Sequence, residues 1–340
     1  MSITSLAFVA FAAVLAAAYY LVPKRFQWVV LLLFSAVFYL MSGPKHGVYI
    51  LVTALSAYAC ALWMARVSQG QKAFFQAHKE LSREEKGAIR QKNTRRKRLA
   101  LIAALLLNFG LLSVFKYAHF VLDQINRLLG LFGGFQFDNS FSILVPLGIS
   151  FYTFQTIGYL IDVYWDKAPP ERNFFKLLLF TSFFPQITQG PISGYSQLSC
   201  QFLRPHSFSY ENFAAGCQRM IWGYFKKLVL ADTLAPCVHA VFENYAQYSG
   251  PAVLTGVFFY SIQIYADFSG YMDIMCGLCQ VLDIRLEENF LRPYFSKSIA
   301  EYWRRWHITL GAWFKSYIYY PIAVSKWNTR LGKWARGRFG

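Results

Sequence analysis

Eight apolar runs decide what this chain can fold into. Ile3–Val22 carries no charged side chain over 20 positions. An α-helix rising about 1.5 Å per residue would take that run across a hydrocarbon core of about 30 Å. Phe26–Met41, Gly47–Met64, Leu99–Phe115, Phe141–Ile161 and Leu177–Ile192 repeat the pattern. Met220–Ala231 does so with Lys226 and Lys227 inside it, and Ala252–Val281 with Asp267 and Asp273. Lipid offers no partner to an unpaired backbone N–H or C=O, so a spanning segment is a helix or a strand of a closed barrel. Barrel strands alternate in polarity every second residue, and these runs do not. The sequence therefore predicts an all-α, polytopic helical membrane protein, with residues 1–340 as a single transmembrane domain. Only 15% of the residues are charged, against about 25% in a soluble domain. The first run is too long for a cleavable signal and no Lys or Arg precedes it, so it reads as the first membrane helix.

The net charge of +17 is concentrated in one place. Eleven Lys and Arg and three Glu lie between Arg66 and Arg98, and Arg95-Arg96-Lys97-Arg98 directly precedes Leu99. A cationic stretch beside a spanning run is the positive-inside signal and not a nucleic-acid patch. Residues 66–98 are accordingly a basic cytoplasmic loop, carrying a solvated helix, of a multi-pass protein of the cell (cytoplasmic) membrane. Counting back through three helices puts the N-terminus outside and Pro23-Lys24-Arg25 inside. The six cysteines form no disulfide framework and no metal spacing. Cys276-x-x-Cys279 sits in an apolar run with no basic neighbour to favour a thiolate, and reads as buried core. Gly133-Gly134, Asp138-Asn139 and Lys167–Arg172 mark turns, and residues 193–212 read as loop.

Residues 295–325 differ from the rest. Trp303, Trp306, Leu310 and Trp313 recur at helical spacing, while Arg304, Arg305 and Lys315 are too frequent for a spanning helix. The pattern predicts an amphipathic helix lying at the membrane interface. On a continuous helix Trp303 lies one turn before His307 and on the same face. An aromatic wall would desolvate the imidazole and the neighbouring guanidiniums would oppose its protonation, keeping it neutral. Two readings are open: a general base, or an interfacial histidine snorkelling among aromatics. The other five histidines have no metal or nucleophile companions. Asp267 and Asp273, with Ser269 between them, either line a tunnel or pair with cations of a neighbouring helix; pairing is the plainer reading. No Gly-x-Ser-x-Gly elbow surrounds Ser269. Pro185–Ile192, which contains Gln186, must break or kink a helix, either next to a site or at an ordinary helix end.

Taken together, Asp267-Phe268-Ser269-Gly270-Tyr271, Asn289-Phe290 followed by Pro293-Tyr294, and Glu301-Tyr302-Trp303-Arg304-Arg305-Trp306-His307 resemble the membrane-bound O-acyltransferase family. More narrowly they resemble its bacterial branch, which holds the alginate O-acetyltransferase membrane subunit and the teichoic-acid D-alanyl transferase. Pro146–Gln155 and Pro185–Ile192 resemble the same branch, and the likeness is strongest from 145 to 322. It implies a funnel-bearing helical fold, no bound cofactor, and an acyl thioester donor such as acetyl-CoA arriving from the cytoplasm. It also implies a hydroxyl acceptor on an exported polysaccharide or its carrier, and an extracytoplasmic acyltransferase as partner protein. His307 would be catalytic, with Trp303, Arg305, Trp306, Asp267, Ser269 and Gln186 binding substrate. The resemblance also implies a second histidine, the family's principal catalytic residue, in an apolar helix well beyond this motif, which would do most of the proton transfer in the intact protein. No histidine follows His307 here, so the chain is expected to be C-terminally truncated. Two rivals are a transporter, for which no duplicated halves are visible, and a non-catalytic scaffold of a polysaccharide-modification complex.

Overall fold

The computed structural model describes residues 1–41, 43–131, 133, 137–139 and 145–339, and the side chains of 44–46 (among them His46), 326, 331–333, 335, 336 and 339 also lie outside the description. Among the described residues there is no strand, only one bridge between Phe290 and Trp306. The helices are α1 (Leu6–Leu21), α2 (Gln27–Met41), α3 (Pro44–Ala77), α4 (Arg83–Leu131), α5 (Ile149–Tyr164), α6 (Phe174–Ser182), α7 (Phe184–Ile187) and α8 (Tyr195–Leu203). They continue as α9 (Tyr210–Tyr224), α10 (Asp232–Glu243), α11 (Gly250–Val281), α12 (Ile299–Arg305), α13 (Ile308–Phe314), α14 (Tyr320–Ala323) and α15 (Lys326–Phe339). Among the described residues three helical stretches are long and apolar enough to cross a membrane: Lys24–Met41, Gly47–Ala77 and Arg83–Leu131; Leu6–Leu21 is a shorter apolar helix. The start of the predicted Phe141–Ile161 run (residues 141–144) and Gly134 of the predicted turn lie outside the described residues.

The helices gather into two compact units. One comprises Leu31–Thr188 and Gly194–Ser199. In it α3 and α4 run antiparallel: Asn108 bonds Ser56, Lys97 bonds Ser68 and Asn93 bonds Gln71, at 3.1 Å each. The basic stretch is thus helix on both sides of a short turn. Ser82 and Glu85 start α4 with a reciprocal capping box, Glu85 N to Ser82 Oγ at 3.2 Å and Ser82 N to Glu85 Oε2 at 2.9 Å. Tyr39, Ile50, Leu112, Ile149, Tyr152 and Ile187 form a buried cluster. Gly148, at φ 70°, opens α5; a Cβ there would stand 2.1 Å from the Ile187 carbonyl oxygen, so only glycine fits.

The break expected in the Pro185–Ile192 segment is present, and one expectation in this region is corrected. Leu177–Ile192 is not one helix. It breaks at Phe183 because Pro185 lacks an N–H and its ring would clash with the carbonyl of Thr181. The groups this frees are taken locally: Ser182 Oγ donates to Leu178 O at 2.6 Å, and Phe184 N donates to Ser35 Oγ at 3.3 Å. Residues 193–212 are not all loop, since α8 forms there. Its buried Tyr195, Leu198 and Phe202 recur at helical spacing within a polar sequence, a weak signal that burial makes decisive.

The other unit comprises Met1–Val30, Gln189–Ser193 and Cys200–Gly340. Its spine is the antiparallel contact of α9 with α11. Gly216 meets Gly277 and Gly223 meets Gly270; a Cβ on Gly216 or Gly223 would stand 2.6 Å from the facing carbonyl oxygen. Four glycines at a repeat of seven let the two backbones touch. The helix that begins with α9 continues through a π-helical stretch, Phe225–Ala231, into α10. The predicted interfacial helix over 295–325 is likewise not continuous. Trp306 is extended (φ −106°, ψ 128°) and His307 is left-handed (φ 47°, ψ 51°), which separates α12 from α13.

Candidate active site

The site grows from the break between α12 and α13. Ser298 caps α12 by accepting from Glu301 N at 3.2 Å. Glu301 accepts from Lys297 N at 2.8 Å and from Arg305 at 2.5 Å. Arg305 is therefore committed to a local ion pair. The extended Trp306 then lies beside residues 289–291: Leu291 N donates to Arg305 O at 3.0 Å and Ile308 N donates to Asn289 O at 3.1 Å. Asn289, 1% exposed, also accepts through Oδ1 from Thr309 N at 3.0 Å and Thr309 Oγ1 at 2.6 Å. Thr309 Oγ1 in turn accepts from Ile192 N at 3.0 Å. A left-handed backbone is uncommon for a residue other than glycine, and this surround of hydrogen bonds holds His307 in it.

The ring that meets the imidazole is Phe268, edge-on at 4.9 Å between centroids, and not Trp303 as a continuous helix would require. Trp303 is 62% exposed and meets the Tyr302 ring edge-on at 5.4 Å between centroids. Trp306 packs among Tyr265, Phe290, Tyr294 and Tyr302. His307 Nδ1 is buried without a hydrogen-bond partner. Burial pushes the His307 pKa down to about 4 from the ordinary 6.5. The imidazole is thus neutral at pH 7, and desolvation rather than the neighbouring guanidiniums keeps it so.

Asn289 and Phe290 join this pocket to a second feature. A cavity of about 220 Å³ is lined by Trp222, Lys226, Tyr265, Ser269, Asp273 and Glu288, and by residues 289–292. Lys226, 7% exposed, donates to Ser269 Oγ at 2.9 Å and to Asp273 at 2.5 Å. Arg219 donates to Asp273 at 2.9 Å and forks onto Glu288 at 2.7 and 2.6 Å. Asp267 pairs with Lys227 at 2.5 Å, and Lys227 also holds Asp232 at 2.8 Å. The pairing reading of both aspartates is what the geometry displays.

Of the residues singled out from sequence, Trp306 and His307 are neighbours at the helix break, and Ser269 lines the adjoining cavity together with Asn289, whose amide donates to Met272 Sδ at 3.5 Å. Trp303, Arg305 and Asp267 stand apart from the imidazole. Gln186 belongs to the other unit, where it is buried and accepts from Gln155 Nε2 at 2.8 Å. Sequence reasoning missed Asn289, Arg219, Lys226 and Glu288 as parts of the constellation. It also missed His206, which is 3% exposed, with Nδ1 2.9 Å from Asp283 and Nε2 2.7 Å from the Gln201 carbonyl. A buried charge in an apolar run signals a partner, but nothing local says which. Cys276 and Cys279 are buried, and no group of metal-binding side chains occurs among the described residues.

Residues 168–334 match the sequence profile of MBOAT, the membrane-bound O-acyltransferase family. Over 229 residues the chain is 39% identical to the Pseudomonas aeruginosa protein named "Probable alginate O-acetylase AlgI", covering 67% of this chain and 44% of that one. It is 36% identical over 256 residues to the peptidoglycan O-acetyltransferase of Helicobacter pylori, covering 68% and 48%. It is 27% identical over 206 residues to the teichoic acid D-alanyltransferase of Bacillus subtilis, covering 56% and 48%. The chain spans about half the length of the curated relatives it matches.

Proposed function

From membership of the membrane-bound O-acyltransferase family, to which residues 168–334 assign this chain, we propose that the protein transfers an acyl group, acetyl in the first instance, from a thioester donor such as acetyl-CoA to a hydroxyl of an exported or cell-surface polysaccharide or its carrier protein. It does so as a multi-pass protein of the cytoplasmic membrane, beside an extracytoplasmic acyltransferase partner. The named activities of the alginate and peptidoglycan relatives support the acetyl and polysaccharide classes. The observation that carries the chemistry is the half-buried, neutral imidazole of His307, with Nδ1 shielded from solvent and unbonded, inside the family-matched segment.

In this reading His307 takes the proton of the attacking hydroxyl as its oxygen bonds the thioester carbonyl carbon. The carbon–sulfur bond then breaks and the thiolate leaves, taking up the proton. Trp306 and Phe268 keep water from the imidazole, and Asn289 fixes its backbone. Trp303, Arg305, Asp267 and Ser269 remain assigned to substrate, Ser269 through the adjoining cavity.

The test uses membranes carrying the complete gene product, labelled acetyl-CoA and a polysaccharide acceptor. His307→Asn is expected to lower kcat/KM by about 10²–10⁴-fold, the usual contribution of a general base. Because His307 acts only when unprotonated, the wild-type rate should persist as pH falls and drop near pH 4. Unchanged transfer by His307→Asn, or an acid limb at the ordinary histidine value of about 6.5, would remove His307 from the role.

A further inference from the structure

A second cavity, of about 370 Å³, lies in the unit that lacks His307. It begins on α3 at Met64, where the apolar run of that helix ends, and extends to Lys72. Eight residues of helix cover about 12 Å, so the cavity starts at the edge of the hydrocarbon core and passes through the head-group layer. The antiparallel partner agrees, because the apolar run of α4 starts at Leu99, and Lys97, two residues earlier, donates to the cavity residue Ser68 at 3.1 Å. The third wall is the end of α5 and the segment after it, Val163 and Asp166–Pro170.

The lining is divided by chemistry. Met64, Ala65, Val163 and Ala168 make an apolar floor, and Lys72 and Lys167 stand at the rim. The one lining carboxylate, Asp166, is already met by Lys97 at 3.6 Å. Among the described residues neither the Lys72 nor the Lys167 ammonium has a hydrogen-bonding or ion-pair partner; Lys167 rests over the Trp165 ring at 4.4 Å. Arg95, Arg96 and Arg98 are exposed on α4 at the same level. A cationic rim over an apolar floor at head-group depth fits a molecule with a phosphate at one end and hydrocarbon at the other.

We propose that this cavity holds the phosphodiester head group of an anionic phospholipid, its acyl chains passing Met64 and Val163. The inference does not depend on acyl transfer. It is tested by native mass spectrometry of the purified chain released from bilayers of phosphatidylglycerol and phosphatidylethanolamine in equal amounts. One phosphatidylglycerol is expected to stay bound per chain. Lys72→Gln with Lys167→Gln should weaken its retention roughly 30-fold, at about one surface cation's contribution each. Arg83→Gln with Lys79→Gln removes the same charge outside the cavity and should leave retention within about twofold, since salt screens distant charges. No preference for phosphatidylglycerol by the wild-type chain would overturn the proposal. So would equal losses in the two double variants, which would mean diffuse attraction only. Displacement of the lipid by millimolar inorganic phosphate would reassign the site to a soluble phosphate ligand.

Discussion

Two antiparallel helix pairs in this molecule handle charge in opposite ways. Along α9 and α11, glycines bring the backbones into contact, and every charge drawn into the seam has a matched partner: Arg219 and Lys226 on Asp273, and Lys227 on Asp267. Along α3 and α4, Gly70, Gly87 and Gly110 face open space, and most of the cations point outward. Sequence shows basic residues beside apolar ones in both pairs. The difference is burial, because an ion taken out of water must find a counter-ion, whereas an exposed one need not.

The largest test of this contrast is Asp273→Ala. It strands Lys226 in a buried position and should destabilise the protein by about 3–5 kcal/mol, read as a fall in the thermal unfolding midpoint in detergent. Asp267→Ala should change stability by about 0–1 kcal/mol, since Lys227 keeps Asp232 and the pair is partly exposed. Equal losses would collapse the distinction. Next in size is Gly223→Ala, whose methyl group would meet the Gly270 carbonyl and the Ile274 amide, for a loss of about 1–3 kcal/mol. The same change at Gly110, in open space on α4, should instead stabilise by about 0.5–1 kcal/mol, and a loss there would show that α4 is more tightly enclosed than its exposure suggests. Smallest is Arg96→Gln on the basic face, expected within about 0.5 kcal/mol of wild type; a larger shift would show that this face, too, depends on its charges.

Much of this architecture could be read in advance. Long apolar runs can satisfy their backbone in lipid only as helices, so α1 to α3, the apolar part of α4 and α11 follow from the sequence. The Pro185 break was also visible, though not its place at Phe183, because a proline marks where a helix fails without saying where the chain turns. The α12–α13 break was not legible. Trp303, Trp306, Leu310 and Trp313 keep helical spacing across it, and what interrupts them is Asn289, a residue 18 positions before His307 that was part of a family motif but gave no sign of this contact. Asp267 and Asp273 announced that partners exist; only the fold chose Lys227 for one, and Lys226 with Arg219 for the other. The motif segment from 145 to 322 was recognisable as a family signature, and the profile match at 168–334 overlaps most of it.

The left-handed geometry of His307 bears on how any replacement there must be interpreted. Alanine alters two things together, deleting the ring and placing a residue at a backbone angle that few side chains accept. Asparagine tolerates that angle, so it removes the imidazole while sparing the turn, and glycine relaxes the turn as well. The ratio between those two replacements separates proton chemistry from the architecture that aims it.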